Sequence, residues 1–177
     1  MDPTRTLPES ASPALASIAA MAGGDLADFH ACVAPGAVNR ESQAEPPACR
    51  VPGPEGFLAS ALWLRAAFAD LRWEVEDVAV STGTAAVSCR MEGRQQGPFA
   101  VHRADGSVEQ AFPSRGRTFA VAQTHWFRVA DGLVIEHWAV RDDLGLARQL
   151  GWVPPSPVYL LRMARARREA HRAAVRV

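Results

Sequence analysis

The chain has 177 residues, of which 48% are hydrophobic and 21% charged, which indicates a folded domain and excludes an intrinsically disordered protein. Its 19 basic residues are all arginine, and 19 acidic residues balance them to a net charge of zero. Six of the arginines lie in residues 156–177 with one acid, so the rest of the chain is acidic. It therefore lacks the basic stripe of a nucleic-acid-binding protein.

Cysteines and apolar runs indicate the cellular compartment. Cys32, Cys49 and Cys89 are odd in number and form no CxxC pair, which suggests neither a disulfide framework nor a zinc site. The apolar run 12–22 is interrupted by Pro13, and it is shorter than the roughly 20 residues that a bilayer requires. We therefore expect a cytoplasmic protein that does not insert into a membrane.

The first part of the chain predicts helices. Residues 1–12 are polar and we expect them to be loose, whereas the alanine-rich stretch 13–21 predicts a helix. A second helix is predicted over 25–32, because its first residue is an aspartate and aspartate is a good N-cap. Residues 35–54 hold five prolines and predict a loop, and Pro54 begins a strongly amphipathic helix.

Beyond Asp70 the period of the hydrophobic residues changes to two, which predicts strands. Residues 93–116 are rich in glycine, glutamine, serine and charge, and predict an extended hairpin connection. The dipeptide Asp131-Gly132 predicts a tight turn between the last two strands, and a short helix from Asp143 to Leu150 follows. The predicted strands are 71–79, 85–92, 117–129 and 133–141.

Helices followed by consecutive antiparallel strands predict an α+β fold rather than an alternating parallel one. We expect a curved, mostly antiparallel sheet wrapped around the long helix as a single cone-shaped domain over residues 13–155. Residues 156–177 are expected to form an arginine-rich helical tail. The mouth of such a cone is a common ligand site.

Two polar residues interrupt the apolar face of strand 117–129. Gln123 and His125 alternate with Phe119, Val121 and Phe127 and share their side of the strand. An unpaired polar group in a core costs about 1–3 kcal/mol, so the two either hydrogen-bond within the core or line a pocket. Both interpretations stay open, and two polar neighbours on one face of an enclosing sheet favour the pocket.

The next strand carries His137 and Trp138, which point to opposite faces. The sequence leaves open which of them is inside. We expect Trp138 in the core, whereas His137 has the parity of Leu133 and Ile135 and is compatible with either a pocket or a structural position.

Asp142 and Asp143 stand where this strand meets the last short helix. A helix needs only one N-cap, so the other carboxylate is free to reach the mouth of the cone. Apolar surroundings there raise the pKa of a carboxyl group and make it a stronger base. A capping carboxylate is instead stabilised as the anion, so the cap and the base are expected to be different residues.

Residues 132–151, GLVIEHWAVRDDLGLARQLG, resemble the C-terminal signature of SnoaL-like ester and polyketide cyclases, in which a DGKIVEHW-type strand runs into D-x-L-G-L-x-x-QLG. The segments 54–57 (PEGF), 66–71 (AAFADL) and 38–39 (VN) occur in the expected order, so the resemblance covers roughly residues 14–153. The family shares its cystatin-like cone with nuclear transport factor, ketosteroid isomerase and limonene epoxide hydrolase. A longer connection over 98–116 departs from the family pattern, so the substrate does not follow from the resemblance.

The resemblance also implies a site. Asp142 stands ten positions before the final glycine of the QLG motif, counting both ends, where the family has its acid/base aspartate, and Asp143 is left as the cap. His125 is the expected second catalytic group. The residues expected to contact the substrate are Gln123, Asn39, His137, Trp138, Phe127 and Trp63.

The predicted activity is intramolecular aldol ring closure on a small hydrophobic or polycyclic substrate of the polyketide type. No metal or other cofactor is expected, because conjugated rings can delocalise the charge of the enolate. The alternatives are another small-molecule enzyme, such as a cofactor-free oxygenase, isomerase or dehydratase, and a non-catalytic binding or dimerisation module. The resemblance also implies a homodimer or higher homo-oligomer.

Overall fold

The computed structural model describes residues 11–174, so the predicted loose segment before Ala11 lies outside the described residues. The helices are α1 Ala11–Gly23, α2 Leu26–His30, α3 Pro54–Ala67, α4 Asp143–Leu150 and α5 Pro157–Ala174. The strands are β1 Val33–Asn39, β2 Phe68–Ser81, β3 Thr84–Gln95, β4 Phe99–His102, β5 Val108–Phe112, β6 Thr118–Ala130 and β7 Leu133–Arg141. Two short 3₁₀ helices, Arg40–Ala44 and Pro47–Arg50, join β1 to α3.

Five strands form the main sheet in the order β1-β7-β6-β3-β2, and β4 and β5 form a separate hairpin. All pairs in the main sheet are antiparallel except β1 with β7. The register of β2 against β3 shifts twice, and Asp70 at the first shift has a left-handed φ of 56°. Such bulges bend and twist a strand. The predicted α+β fold with a curved, mostly antiparallel sheet is confirmed.

The turn between β6 and β7 is the one that the sequence predicts. Asp131 has φ 51° and Gly132 has φ 75°. A two-residue hairpin turn with positive φ at both central positions favours Asp-Gly, because glycine has no Cβ and aspartate tolerates the left-handed region. The turn pairs Ala130 with Leu133, and a register shift between Arg128 and Val129 then places Phe127 opposite His137.

Strand β1 was missed, because the prolines of 35–54 predict a loop. It is an edge strand that pairs on one side with β7, and its register is irregular between Val33 and Val38. An edge strand with a bulge tolerates a residue such as Pro35, whose nitrogen cannot donate. The pairing places Asn39 opposite His137.

Two clusters of buried side chains form the core. The first packs α1, α2 and α3 against the sheet and contains Phe29, Phe57 and Phe127. The second contains Phe68 and Met91 of the sheet together with residues after β7, which are Leu146, Leu150, Trp152, Tyr159 and Met163.

The arginine-rich segment packs on the rest of the chain as an amphipathic helix. Tyr159 and Met163 of α5 belong to the second core cluster, and Ala166 packs on Val108 and Ala111 of β5. The segment thus covers the β4–β5 hairpin. No helix within residues 11–174 is both long and apolar enough to cross a membrane.

Candidate active site

A cavity of about 390 Å³ lies where the two core clusters meet, between α3 and the sheet. Most of its lining is apolar, and we name two groups of its side chains as walls. The aromatic wall consists of Trp63, Phe68, Phe99, Phe112 and Trp152, and the polar wall of Asn39, Glu41, Glu45, Gln123, His125, His137, Arg141 and Asp143.

The polar wall contains a continuous chain of hydrogen bonds. Gln123 Oε1 accepts from Trp73 Nε1 at 3.1 Å and lies 2.8 Å from His125 Nε2. His125 Nδ1 is 2.9 Å from His137 Nε2, and His137 Nδ1 is 2.9 Å from Asn39 Oδ1. The structure therefore brings together four of the residues that the sequence and the resemblance single out, from three adjacent strands.

The chain continues from Asn39 to a buried carboxyl group. Asn39 Nδ2 donates to Ser60 Oγ at 3.4 Å, and Ser60 Oγ donates to Glu45 Oε2. Glu45 is 5% exposed and Ser60 is 1% exposed. Burial raises the pKa of the Glu45 carboxyl above its usual value, and the contact with Ser60 and the charge of Arg141 offset part of this rise.

Burial also acts on the two imidazoles. It lowers the pKa of His125, and the charge of Arg141 lowers it further. The pKa of His137 is lowered by burial, by His125 and by Arg141. The rings are stacked with centroids 5.2 Å apart, so they form one coupled unit.

Arg141 links two carboxylates at the cavity. Its Nη2 lies 3.3 Å from Glu41 Oε2, and its Nε lies 3.5 Å from Asp143 Oδ1. The other oxygen of Glu41 accepts the backbone N–H of Ala139 at 2.9 Å. Sequence reasoning missed Arg141, although it shares the parity of His137 on β7.

Glu41 and Glu45 were missed as well. They lie in and just after the 3₁₀ helix Arg40–Ala44, inside the segment that the prolines mark as a loop. No periodicity there signals an inward side chain, so only the three-dimensional structure places these carboxylates at the cavity.

The structure differs from the predicted capping position at the start of α4. Asp142 is the N-cap, since its Oδ1 accepts the N–H of Gly145 at 2.7 Å. A Cβ on Gly145 would lie 2.0 Å from the Asp142 carboxylate, so this close cap requires glycine. Asp143 lies in the first turn of the helix and lines the cavity. The prediction that Asp143 is the cap is wrong, because the helix begins at Asp143 and the N-cap is the residue before it, Asp142.

The capping position of Asp142 bears on its predicted role as the base. Its side chain is turned back onto the helix, the residue is exposed, and it is not part of the cavity wall. The resemblance places a base at Asp142, whereas the geometry is that of a helix cap.

Trp138 is outside the cavity, on the opposite face of the sheet from His137. Its ring stacks on Trp126 with centroids 6.1 Å apart, and the guanidinium of Arg40 lies 5.4 Å from its centroid. The expectation that Trp138 is in the core is therefore wrong, because α1 and α3 pack on the face that carries His137, and Trp138 does not line this cavity. The expected homodimer or higher homo-oligomer stays a prediction.

The remaining predicted residues lie on the cavity. Phe127 is 1% exposed and its ring centroid is 4.9 Å from that of His137. Trp63 of α3 donates from Nε1 to the carbonyl of Ala100 at 3.1 Å and packs on Phe99 with a centroid distance of 4.6 Å. Trp63 thus belongs to the aromatic wall, and Phe127 packs beside the histidine pair.

The fold and the cavity together define a class of protein, a cone that encloses one largely apolar small-molecule site with a polar wall. The chain belongs to the SnoaL-like polyketide cyclase family, whose profile matches residues 14–150. It is 29% identical over 137 residues to the aklanonic acid methyl ester cyclase DauD of Streptomyces sp. strain C5, covering 75% of this chain and 74% of DauD.

Further relatives agree with this assignment. The aklanonic acid methyl ester cyclase DnrD of Streptomyces peucetius is 31% identical over 107 residues, which are 59% of this chain and 66% of DnrD. The structure of TsrD from Streptomyces laurentii is 28% identical and superposes with a TM-score of 0.65 over 83% of this chain and 98% of TsrD. IdmH from Streptomyces antibioticus, at 24% identity and a TM-score of 0.59 over 81% of this chain and 99% of IdmH, shares the fold. The protein is of the polyketide cyclase type.

Proposed function

We propose that the protein closes a ring in a polyketide-type substrate by intramolecular aldol addition, using its own side chains as acid and base. The observation that carries the proposal is the cavity of about 390 Å³, largely apolar, with a buried carboxyl group and a histidine pair on the same wall. The relatives DauD and DnrD are named as cyclases of aklanonic acid methyl ester. A conjugated, enolisable ester is therefore the proposed substrate class.

The aromatic wall is suited to hold flat, conjugated rings. Trp152 stacks between Phe99 and Phe112, with centroid distances of 5.5 and 4.4 Å and interplanar angles of 17° and 18°. Stacked aromatic pairs add about 0.5–1.5 kcal/mol beyond area burial. Binding of the substrate rings on this wall presents its reactive side chain to the polar wall, and such positioning supplies much of the rate of a ring closure.

Glu45 is proposed as the base. It removes a proton from the carbon next to the ester or ketone, the electron pair passes to the carbonyl oxygen, and the enolate carbon attacks a second carbonyl of the same molecule. A buried carboxylate with a raised pKa is a stronger base than an exposed one. Asp142, Glu41 and Asp143 each accept from a backbone N–H or pair with the charged Arg141, whereas the Glu45 carboxyl accepts from the neutral hydroxyl of Ser60.

The negative charge that moves to oxygen needs donors nearby. Gln123 Nε2 donates to the thioether of Met91 at 3.1 Å, a weak acceptor that a substrate oxygen can replace. Arg141 is the second donor on this wall. His125 is proposed to protonate the final alkoxide, and the proton on Glu45 then restores the histidine, so that no net proton is consumed.

The proposal is tested with aklanonic acid methyl ester as the substrate. Ring closure yields a product of unchanged mass, because aldol addition moves a proton and forms a bond without loss of atoms. Glu45→Gln is expected to lower kcat by about 10²–10⁴-fold, the usual contribution of general acid/base catalysis.

Asp142→Asn is the matched control, because asparagine also caps helices well. It should keep both the melting temperature and most of the activity. Loss of activity in Asp142→Asn with activity retained in Glu45→Gln would move the base to Asp142. A product heavier by one oxygen, or no product from the wild type, would reject ring closure of this substrate class.

A further inference from the structure

The His125–His137 pair lies in a hydrogen-bond chain that lacks one proton when both rings are neutral. Three contacts of 2.8, 2.9 and 2.9 Å join Gln123 Oε1, the two rings and Asn39 Oδ1. Each contact needs one proton, and the amide oxygens at both ends supply none. Two neutral imidazoles carry one N–H each. In one of the three contacts, two lone pairs therefore face each other with no proton between them.

Rotation of the terminal amides does not remove this mismatch. Gln123 Oε1 already accepts from Trp73 Nε1 at 3.1 Å, and Asn39 Oδ1 accepts from the backbone N–H of Glu41 at 3.2 Å. Turning either amide over would place its NH₂ group against one of these donors. Both ends of the chain are thus assigned as acceptors by independent N–H groups.

We propose that the pair binds one additional proton, shared between Nδ1 of His125 and Nε2 of His137, and that this single positive charge stabilises the oxyanions formed on the polar wall. With the third proton in place, all three contacts are complete. Charge-assisted hydrogen bonds are about twice as strong as neutral ones. The catalytic use of the charge rests on the proposed ring closure, whereas the binding of the proton does not.

The charged groups around the pair act in both directions. Burial and Arg141 of β7 oppose a positive charge on the rings. Glu41 and Glu45 supply negative charge on the same wall, and Glu45 is linked to the pair through Asn39. Phe57 and Phe127, which pack on the rings, carry no charge.

A fourth proton has no acceptor in the chain and would place two charges on rings whose centroids are 5.2 Å apart. The pair is therefore expected to hold one extra proton and not two.

The test is a proton-detected nitrogen NMR spectrum of the whole protein with ¹⁵N-labelled histidine, at neutral pH and without substrate. The two rings should give three N–H signals, the shared one strongly shifted downfield. The other histidines of residues 11–174, His30, His102 and His171, are assigned by replacing each with glutamine. Only two N–H signals from His125 and His137 would overturn the proposal.

A variant tests the number of protons on the histidine pair directly. Asn39→Ala removes the acceptor at one end, and two neutral rings then satisfy the two remaining contacts. One N–H signal should be lost. Gln123→Leu removes the acceptor at the other end and should lose one signal as well, which covers the case that one variant fails to fold.

Three signals in both variants would contradict the proposal. The spectrum also separates the two proposals. Three signals from a protein that does not turn over the ester would support the shared proton and reject the proposed ring closure. Two signals from an active protein would reject the proposed shared proton and leave the proposed ring closure supported.

Discussion

The two walls of the cavity are held in place by different forces. On the polar wall, directional hydrogen bonds fix Asn39, Gln123, His125 and His137 to one another across three strands. On the aromatic wall, Trp63, Phe99 and Trp152 pack ring against ring, and the two indole N–H groups each donate one hydrogen bond, to the carbonyl of Ala100 and to Gln95 Oε1. A buried hydrogen-bond chain loses more than one contact when one member changes, whereas stacked rings adapt. The comparison suggests that the side chains of the polar wall are held in one arrangement, whereas the aromatic surface proposed to bind the substrate can adapt.

The largest effect on stability is expected from breaking the polar wall at Gln123. Gln123→Leu leaves the N–H of Trp73 without an acceptor and Nε2 of His125 without a partner, and each unpaired buried polar group costs about 1–3 kcal/mol. The free energy of unfolding should fall by that order in a urea titration, and kcat should fall by about 100-fold since the donor for the substrate oxygen is lost.

Gln123→Glu is the matched control for this change, because it keeps an acceptor for both donors. It should recover most of the stability. A Gln123→Leu protein as stable and active as the wild type would show that the hydrogen bonds of the polar wall do not form a coupled unit.

A smaller effect is expected from the pH dependence of Glu45. Its pKa in the folded protein is raised above the ordinary 4.5 by burial. A raised folded pKa means that the folded state binds the proton more tightly, so this stabilisation is complete below pH 4.5 and is lost as the pH rises through the raised value.

Wild type should therefore lose stability relative to Glu45→Gln with rising pH, by about 1.4 kcal/mol for each unit of pKa difference. Denaturation of both proteins at several pH values measures this difference. Both proteins contain the same histidines, so the direct contribution of these residues largely cancels. If the wild type instead gained stability relative to Glu45→Gln with rising pH, the folded protein would stabilise the Glu45 anion rather than destabilise it.

The smallest effect is expected on the aromatic wall. Phe112→Leu removes one ring from the stack with Trp152, a change of about 0.5–1.5 kcal/mol, or roughly 2–13-fold in affinity. KM for the ester should rise by this factor while kcat stays near that of the wild type.

Phe29→Leu serves as the control for this change, because Phe29 is fully buried in the first core cluster and does not line the cavity. It should lower the melting temperature and leave KM unchanged. A loss of kcat without a change of KM in Phe112→Leu would place part of the chemistry on the aromatic wall.

Much of the fold could be predicted because its signals are local. The alternation of β3, β6 and β7 and the Asp131-Gly132 turn depend on neighbouring residues, and the positions of Gln123 and His125 on one face follow from the period of a strand. Strand β1 could not be predicted, because an edge strand with a proline has the composition of a loop.

The sequence by itself determined which polar side chains share a face, since this follows from strand geometry alone. Only the tertiary structure decided which of them meet. Asn39 and His137 are 98 positions apart and join because β1 pairs with β7. The helices cover the face of the sheet that carries His137, so Arg141 on that face lies at the cavity and Trp138 on the other face does not. Asp142 is the cap because α4 begins at the next residue. Glu45 acquires its raised pKa from burial, a property of the packed molecule rather than of any local pattern.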